Sequence, residues 1–291
     1  MMAAEIKMNH LTLKFGKFEA LKDISLTLEA GKIHGLIGRN GAGKTSLLSL
    51  IAAFREATQG EVTIDGEPVF ENPDKMQQVS FVYEKDYKDE YDNISSVLEF
   101  AESYRPNYDK EYADHLLKRF KLPLDKPVNK LSKGMQSAMN VVLGLASRSP
   151  VTIFDEAYLG MDAPAREIFY QEILADQAQH PRTFILSTHL VSEMDYLFDN
   201  VVIIDQGRLL LNEDYETIAS RGASVTGAAD QVDEFVSGME ILNEQKLGGT
   251  KSVMVYGTMG ERELQKAHQF GLEIGPVSLQ DLFIHLTEEA R

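Results

Sequence analysis

The chain of 291 residues contains no cysteine. Disulfide staples and cysteine metal sites are thereby excluded. Positive charge is also scarce: 29 Lys and Arg stand against 45 Asp and Glu, a formal net charge of −16. Such a surface does not neutralise a phosphate backbone, so nucleic acid is excluded as the expected partner. Long apolar runs are missing as well. The longest, such as Ile33–Ile37 and residues 201–205, have only strand length, whereas a membrane span needs about 20 apolar residues. Residues 1–14 hold no signal-like apolar block. The sequence therefore predicts a chain whose membrane role, if it has one, comes through a partner.

What is present reads as an α/β protein. Residues 6–15 and 24–28 alternate as strands, and residues 33–37 form a strand that runs into a glycine-rich turn. Apolar residues over 44–54 then recur at helical spacing. Residues 61–64 and 79–83 predict further strands around the Asp65-Gly66 turn. From 84 to about 145 the chain becomes rich in charge, tyrosine and helix formers, with helices expected over 97–104 and 110–120. Strands at 151–155, 183–187 and 201–205 alternate with helices, the pattern of a mostly parallel sheet covered by helices. Near Asn212 the composition shifts. Residues 213–291 read as a small α+β unit in βαββαβ order, which is ferredoxin-like, ending in a helix.

Gly38-Arg39-Asn40-Gly41-Ala42-Gly43-Lys44-Thr45 matches G-x-x-x-x-G-K-[ST]. Glycines let successive backbone N–H groups turn toward phosphate oxygens, and the following helix adds its positive end. Lys44 supplies a cation for the β- and γ-phosphates, and the Thr45 hydroxyl is a Mg²⁺ ligand. Asn40 and Ser46 complete the expected ATP-binding loop. A chain of this length matches the motif by accident on the order of one time in a hundred.

Residues 151–156 form an apolar strand ending in two carboxylates. A buried parallel strand delivers such residues to the ligand crevice. Asp155 is expected to hold Mg²⁺, and Glu156 to polarise the attacking water as general base. Alone, the pair also reads as two solvated acids. His189 follows the strand at 183–187 and is expected to contact the γ-phosphate. A lone histidine reads more simply as a hydrogen-bonded surface residue.

In this order the motifs resemble those of an ABC-type ATPase subunit over residues 4–212, with a helical subdomain at about 84–145. Leu131-Ser132-Lys133-Gly134-Met135-Gln136 is similar to the family signature L-S-G-G-Q. Gly160-Met161-Asp162 resembles the D-loop, and His189 falls at the switch position. Phe15 falls where the family stacks an aromatic on adenine. The resemblance implies a P-loop NTPase core with an antiparallel β subdomain and the helical insertion. It also implies a dimer, either of identical chains or with a paralogous ATPase, that sandwiches two ATP molecules. Ser132 and Gly134 of one subunit would close on the nucleotide held by the other, with Asp162 at the same interface. An integral membrane permease is the implied partner, placing the chain on the cytoplasmic face of the membrane. Tyr83, Tyr87 and Tyr91 are the candidates for the groove that receives it.

Three positions depart from the pattern, one of them Met135, which stands where the signature usually has Gln. Glu84 stands where the family has Gln; its carboxylate is a further candidate Mg²⁺ ligand. Lys133 stands where the signature usually has Gly. Residues 278–287 are similar to the terminal helix of bacterial exporter ATPases for drugs, antimicrobial peptides or lipids, including Gram-positive peptide exporters. An importer ATPase, a soluble ABC ATPase without a transport role and a non-hydrolysing nucleotide sensor remain as alternatives.

Overall fold

The computed structural model describes residues 3–289. The chain forms two compact units. One runs to His189 and takes back Ile204–Leu209. The other holds Leu190–Ile203 and the chain from Leu210 onward. The expected seam at 212/213 therefore misses Leu190–Ile203.

The first unit opens with β1 (Ile6–Phe15) and β2 (Phe18–Leu28), then β3 (Ile33–Ile37), α1 (Lys44–Ile51), β4 (Gln59–Ile64) and β5 (Glu67–Pro68). An antiparallel sheet has the order β2-β1-β4-β5. Strand β2 begins six residues before the expected start. Its register with β1 shifts three times, so the charged residues Glu19, Lys22 and Asp23 break the apolar alternation that the sequence would otherwise show. Helix α1 stops at Ile51 rather than Phe54, because Ala53 turns to φ 55°.

Next come α2 (Pro73–Met76), β6 (Val79–Val82), α3 (Ile94–Tyr104), α4 (Lys110–Arg119), α5 (Lys133–Ala146), β7 (Val151–Asp155), α6 (Ala163–Gln179) and β8 (Thr183–Thr188). Helices α3, α4 and α5 each start on a side-chain cap. Asn93 accepts from Ser96 N–H, Asp109 from Tyr112 N–H, and Ser132 from Met135 N–H. Strands β3, β8, β7 and β6 lie in that order and pair in parallel. Every residue of β3, β7 and β8 is buried. That is why these segments read as continuous apolar runs rather than alternating ones.

The chain passes between units through α7 (Val191–Met194), β9 (Asn200–Asp205) and β10 (Arg208–Asp214), followed by α8 (Tyr215–Ala219). In the second unit β11 (Gly222–Ala228), α9 (Ala229–Phe235), β12 (Glu240–Leu247), β13 (Thr250–Tyr256), α10 (Glu261–Gln269), β14 (Glu273–Pro276) and α11 (Leu279–Glu289) follow. Their sheet has the order β12-β13-β11-β14 with every pairing antiparallel. Val225, Val232, Phe235, Val253 and Val255 fill its core. Helix α11 packs on α7, which is what draws Leu190–Ile203 into this unit. Among the described residues, no helix is long and apolar enough to cross a membrane.

Candidate active site

Parallel pairing brings the C-terminal ends of β3, β7 and β8 to one edge of the sheet, where α/β folds place their ligands. The glycine loop leaves β3 there. Gly43 sits at φ 109°, a conformation that side chains rarely adopt. A Cβ on Gly38 would meet the Ile204 carbonyl oxygen at 2.6 Å, so that position also has no room for a side chain.

Lys44, the first residue of α1, is only 6% exposed. Its Nζ donates to the Gly38 carbonyl at 2.8 Å and lies 3.3 Å from Glu156 Oε1. The Thr45 hydroxyl donates to Asp155 Oδ2 at 2.6 Å. Ser187 Oγ donates to the other oxygen, Oδ1, at 2.6 Å. Both oxygens of this buried carboxylate thus carry hydrogen bonds, which holds its plane toward the loop.

Glu156 adopts φ 50°, a left-handed backbone that costs a non-glycine residue about 1–3 kcal/mol. Its N–H donates to the Ser187 carbonyl, which ties the turn to β8. Its Oε1 lies 3.2 Å from His189 Nδ1. One carboxylate therefore faces both the loop lysine and the strand-end histidine.

A cavity of about 570 Å³ opens over these groups. The loop side is Asn40, Gly41, Gly43, Lys44, Thr45 and Ser46; the opposite side includes Glu84, Asp155 and Glu156. Gly38 anchors the loop from beneath, and His189 reaches the cavity through Glu156. Phe15 does not line it. Arg55 lies over the Phe15 ring at 5.1 Å, and the phenylalanine at the cavity is Phe18, paired with Phe15 across the β1–β2 turn. Sequence reasoning missed Phe18 and Leu159, and placed Tyr83 only in the groove for the membrane partner. A one-turn offset in a hairpin is invisible to motif spacing.

Ser132, Gly134 and Asp162 are not among the residues lining this cavity. Ser132 caps α5, and Asp162 caps α6 by accepting from Ala165 N–H at 2.9 Å. Gly134 lies so close to the D-loop that a Cβ would meet the Gly160 carbonyl oxygen at 2.5 Å. Glu84 points its carboxylate at Lys133 Nζ, 2.6 Å away.

The Thr45 hydroxyl and the Asp155 carboxylate are hard oxygen donors beside a cationic loop. They suit a small divalent ion whose remaining ligands are phosphate and water. Among the described residues, no cluster of three or more acidic, histidine or cysteine side chains forms a closed metal cage.

A glycine loop with a buried lysine, opposite a strand-end carboxylate pair, defines a P-loop nucleoside triphosphatase. The sequence matches the ABC transporter family over residues 21–159. The ABC transporter ATP-binding protein NatA of Bacillus subtilis is 30% identical over 207 residues, covering 69% of this chain and 84% of NatA. The nitrate import ATP-binding protein NrtD of Synechococcus elongatus is 30% identical over 196 residues, covering 66% of this chain and 72% of NrtD. A dimeric, post-hydrolysis ATP-binding cassette, MJ0796 bound to ADP and Pi, superposes with a TM-score of 0.61 at 22% identity, over 72% of this chain and 98% of the cassette. The chain belongs to the ABC transporter family: it is an ATP-binding, ATP-hydrolysing subunit of an ABC transporter.

Proposed function

We propose that two copies of this chain, or one copy with a paralogue, sandwich two ATP molecules and drive export through a separate membrane-spanning subunit on the cytoplasmic face. The observation that carries the hydrolytic part is the convergence of Lys44, Glu156 and His189 around one carboxylate. Lys44 meets the β- and γ-phosphates. Thr45 and Asp155 would hold a magnesium ion, with Glu84 at the rim, and such an ion would supply positive charge against the phosphate oxygens. Glu156 takes the proton of the attacking water, and His189 orients it. Ser132 and Gly134 meet the partner's triphosphate, a role favoured by the free N–H groups at the start of the 14-residue α5. The dimeric ADP-bound state of MJ0796 supports this arrangement.

Residues 4–212 then act as the cassette and residues 213–291 as an accessory unit that widens the dimer. A second cavity of about 530 Å³ suits a helix of the membrane subunit. Its rim carries Phe81, Tyr83, Tyr87, Phe100 and Tyr104. Burial, first of all, pushes the Tyr87 phenol up to about 12, and its hydroxyl donates to Asn140 Oδ1. Tyr91, expected beside them, is exposed and outside the groove lining.

Export rests on the exporter-like run at residues 278–287. The 30% identity to a nitrate import protein is the observation that favours the opposite direction. ATP-dependent accumulation of cargo inside inverted vesicles, containing this chain and its membrane subunit, is the expected result. Uptake only in right-side-out vesicles supports import. For the hydrolytic part, Glu156→Gln is expected to bind ATP, lose turnover and sediment as a dimer. Turnover at the parental rate would reassign the base.

A further inference from the structure

The geometry points to Tyr158 as a positioning residue for hydrolysis, acting on His189. This rests on the reading of Glu156 as base and His189 as its partner. Tyr158 lies on the loop after β7, two residues beyond Glu156, and is 1% exposed. A phenylalanine would satisfy that apolar burial without a hydroxyl to accommodate. A buried hydroxyl is costly unless it is bonded. The Tyr158 hydroxyl lies 3.0 Å from Thr188 Oγ1 and 3.5 Å from His189 Nδ1. The two rings are 6.3 Å apart and tilted by 47°.

The protonated nitrogen of a neutral imidazole is set by what the nitrogen faces. Nδ1 of His189 faces the Glu156 carboxylate at 3.2 Å and the Tyr158 oxygen at 3.5 Å, both acceptors. A proton on Nδ1 serves both, and Nε2 keeps its lone pair. With Nδ1 protonated, the phenol proton is left for Thr188 Oγ1, at the buried end of β8. Tyr158 thus ties the loop that carries the base to the strand that carries the histidine. The loop itself is held from the other side, where Ser137 Oγ donates to the Leu159 carbonyl at 2.6 Å. Relative placement of Glu156 and His189 is set by one side chain on the same short loop as the base.

Tyr158→Phe in the full-length protein tests this. The expected result is a fall in kcat of about three- to tenfold, the rate equivalent of one ordinary hydrogen bond, with KM for ATP unchanged. In a His189→Ala background the same substitution is expected to cost nothing further. In ¹⁵N-histidine-labelled protein without nucleotide, the His189 nitrogen resonances, assigned by their loss in His189→Ala, are expected to shift in Tyr158→Phe. Unchanged resonances overturn the proposal, as does an equal fall in kcat in both backgrounds. Should His189→Ala itself leave turnover intact, the assignment of His189 fails, while the resonance shift still reads the Tyr158–His189 tie.

Discussion

The Glu84 carboxylate and the Lys133 ammonium meet at 2.6 Å. Both positions depart from the family pattern, and the structure joins them. Glu84 borders the same cavity as Asp155 and Glu156, so its charge adds to an already acidic wall facing an anionic ligand. Lys133 offsets that charge. Its own ammonium pKa is raised, first by the hydrogen bond to Glu84 and then by that carboxylate's charge. The pair is exposed on both sides, so its effect lies in the local field rather than in fold stability.

Lys133→Ala is therefore expected to raise KM for ATP about two- to fivefold at low salt, by leaving Glu84 uncompensated. Adding Glu84→Gln to that variant is expected to restore KM. Both effects are expected to shrink at high salt, as interactions between exposed charges do. Steady-state hydrolysis at two ionic strengths measures all of this. A KM that ignores salt and both substitutions would remove the pair from the site.

Lys44→Ala is expected to weaken ATP binding by at least about tenfold, since a charge-assisted contact to phosphate is lost. Glu156→Gln is expected to leave affinity within about twofold of the parent, because its role begins only when water attacks. Titration calorimetry on the two variants separates binding from chemistry. Equal losses of affinity would place both residues in ground-state binding.

The phenylalanine at the cavity offers a third test. Phe18 lines it, whereas the ring of Phe15 carries Arg55. Phe18→Ala is expected to weaken ATP binding by about 1 kcal/mol, a low value for base stacking, because the ring is exposed. Inorganic tripolyphosphate, which has no base, is expected to bind the variant as it binds the parent. A larger effect from Phe15→Ala would return the adenine to Phe15.

These residues also mark where the sequence stops being readable. The loop at Gly38–Thr45 and the carboxylates at Asp155 and Glu156 are legible because their chemistry depends on neighbours in the chain. The buried strands β3, β7 and β8 are legible because burial on both faces leaves an unbroken apolar run. Phe18 is not legible, because the register shifts of β1 and β2 decide which ring reaches the cavity. Tyr158 reads as a core aromatic until β8 brings Thr188 and His189 beside it. The grouping of Leu190–Ile203 with the C-terminal unit depends on α11 packing against α7, a contact between segments far apart in sequence.

Stability should depend on pH through Asp109. This side chain caps α4 by accepting from Tyr112 N–H at 2.9 Å, and it also accepts from Arg148 Nε and Nη2 at 3.1 and 3.0 Å. Burial pushes its carboxyl up, but the Tyr112 N–H and the Arg148 guanidinium together outweigh burial and hold it below its usual 3.8. A depressed folded-state pKa favours the folded protein fully above the unfolded value. That contribution is lost as pH falls from about 4 through the lower folded pKa. Arg148 itself also pairs with buried Asp176, so it stays anchored when Asp109 is removed. Asp109→Ala removes cap and ion pair together and is expected to cost about 1–2 kcal/mol at pH 7. Asp109→Asn keeps a good cap through its amide oxygen but loses the charge and both hydrogen bonds from Arg148, so its cost should be smaller than that of the Ala variant and should fade toward pH 3. Urea unfolding of the three proteins at pH 7 and near pH 3 separates the two contributions. An Asn variant as damaged as the Ala variant at pH 7 would assign the stability to the charge rather than the cap.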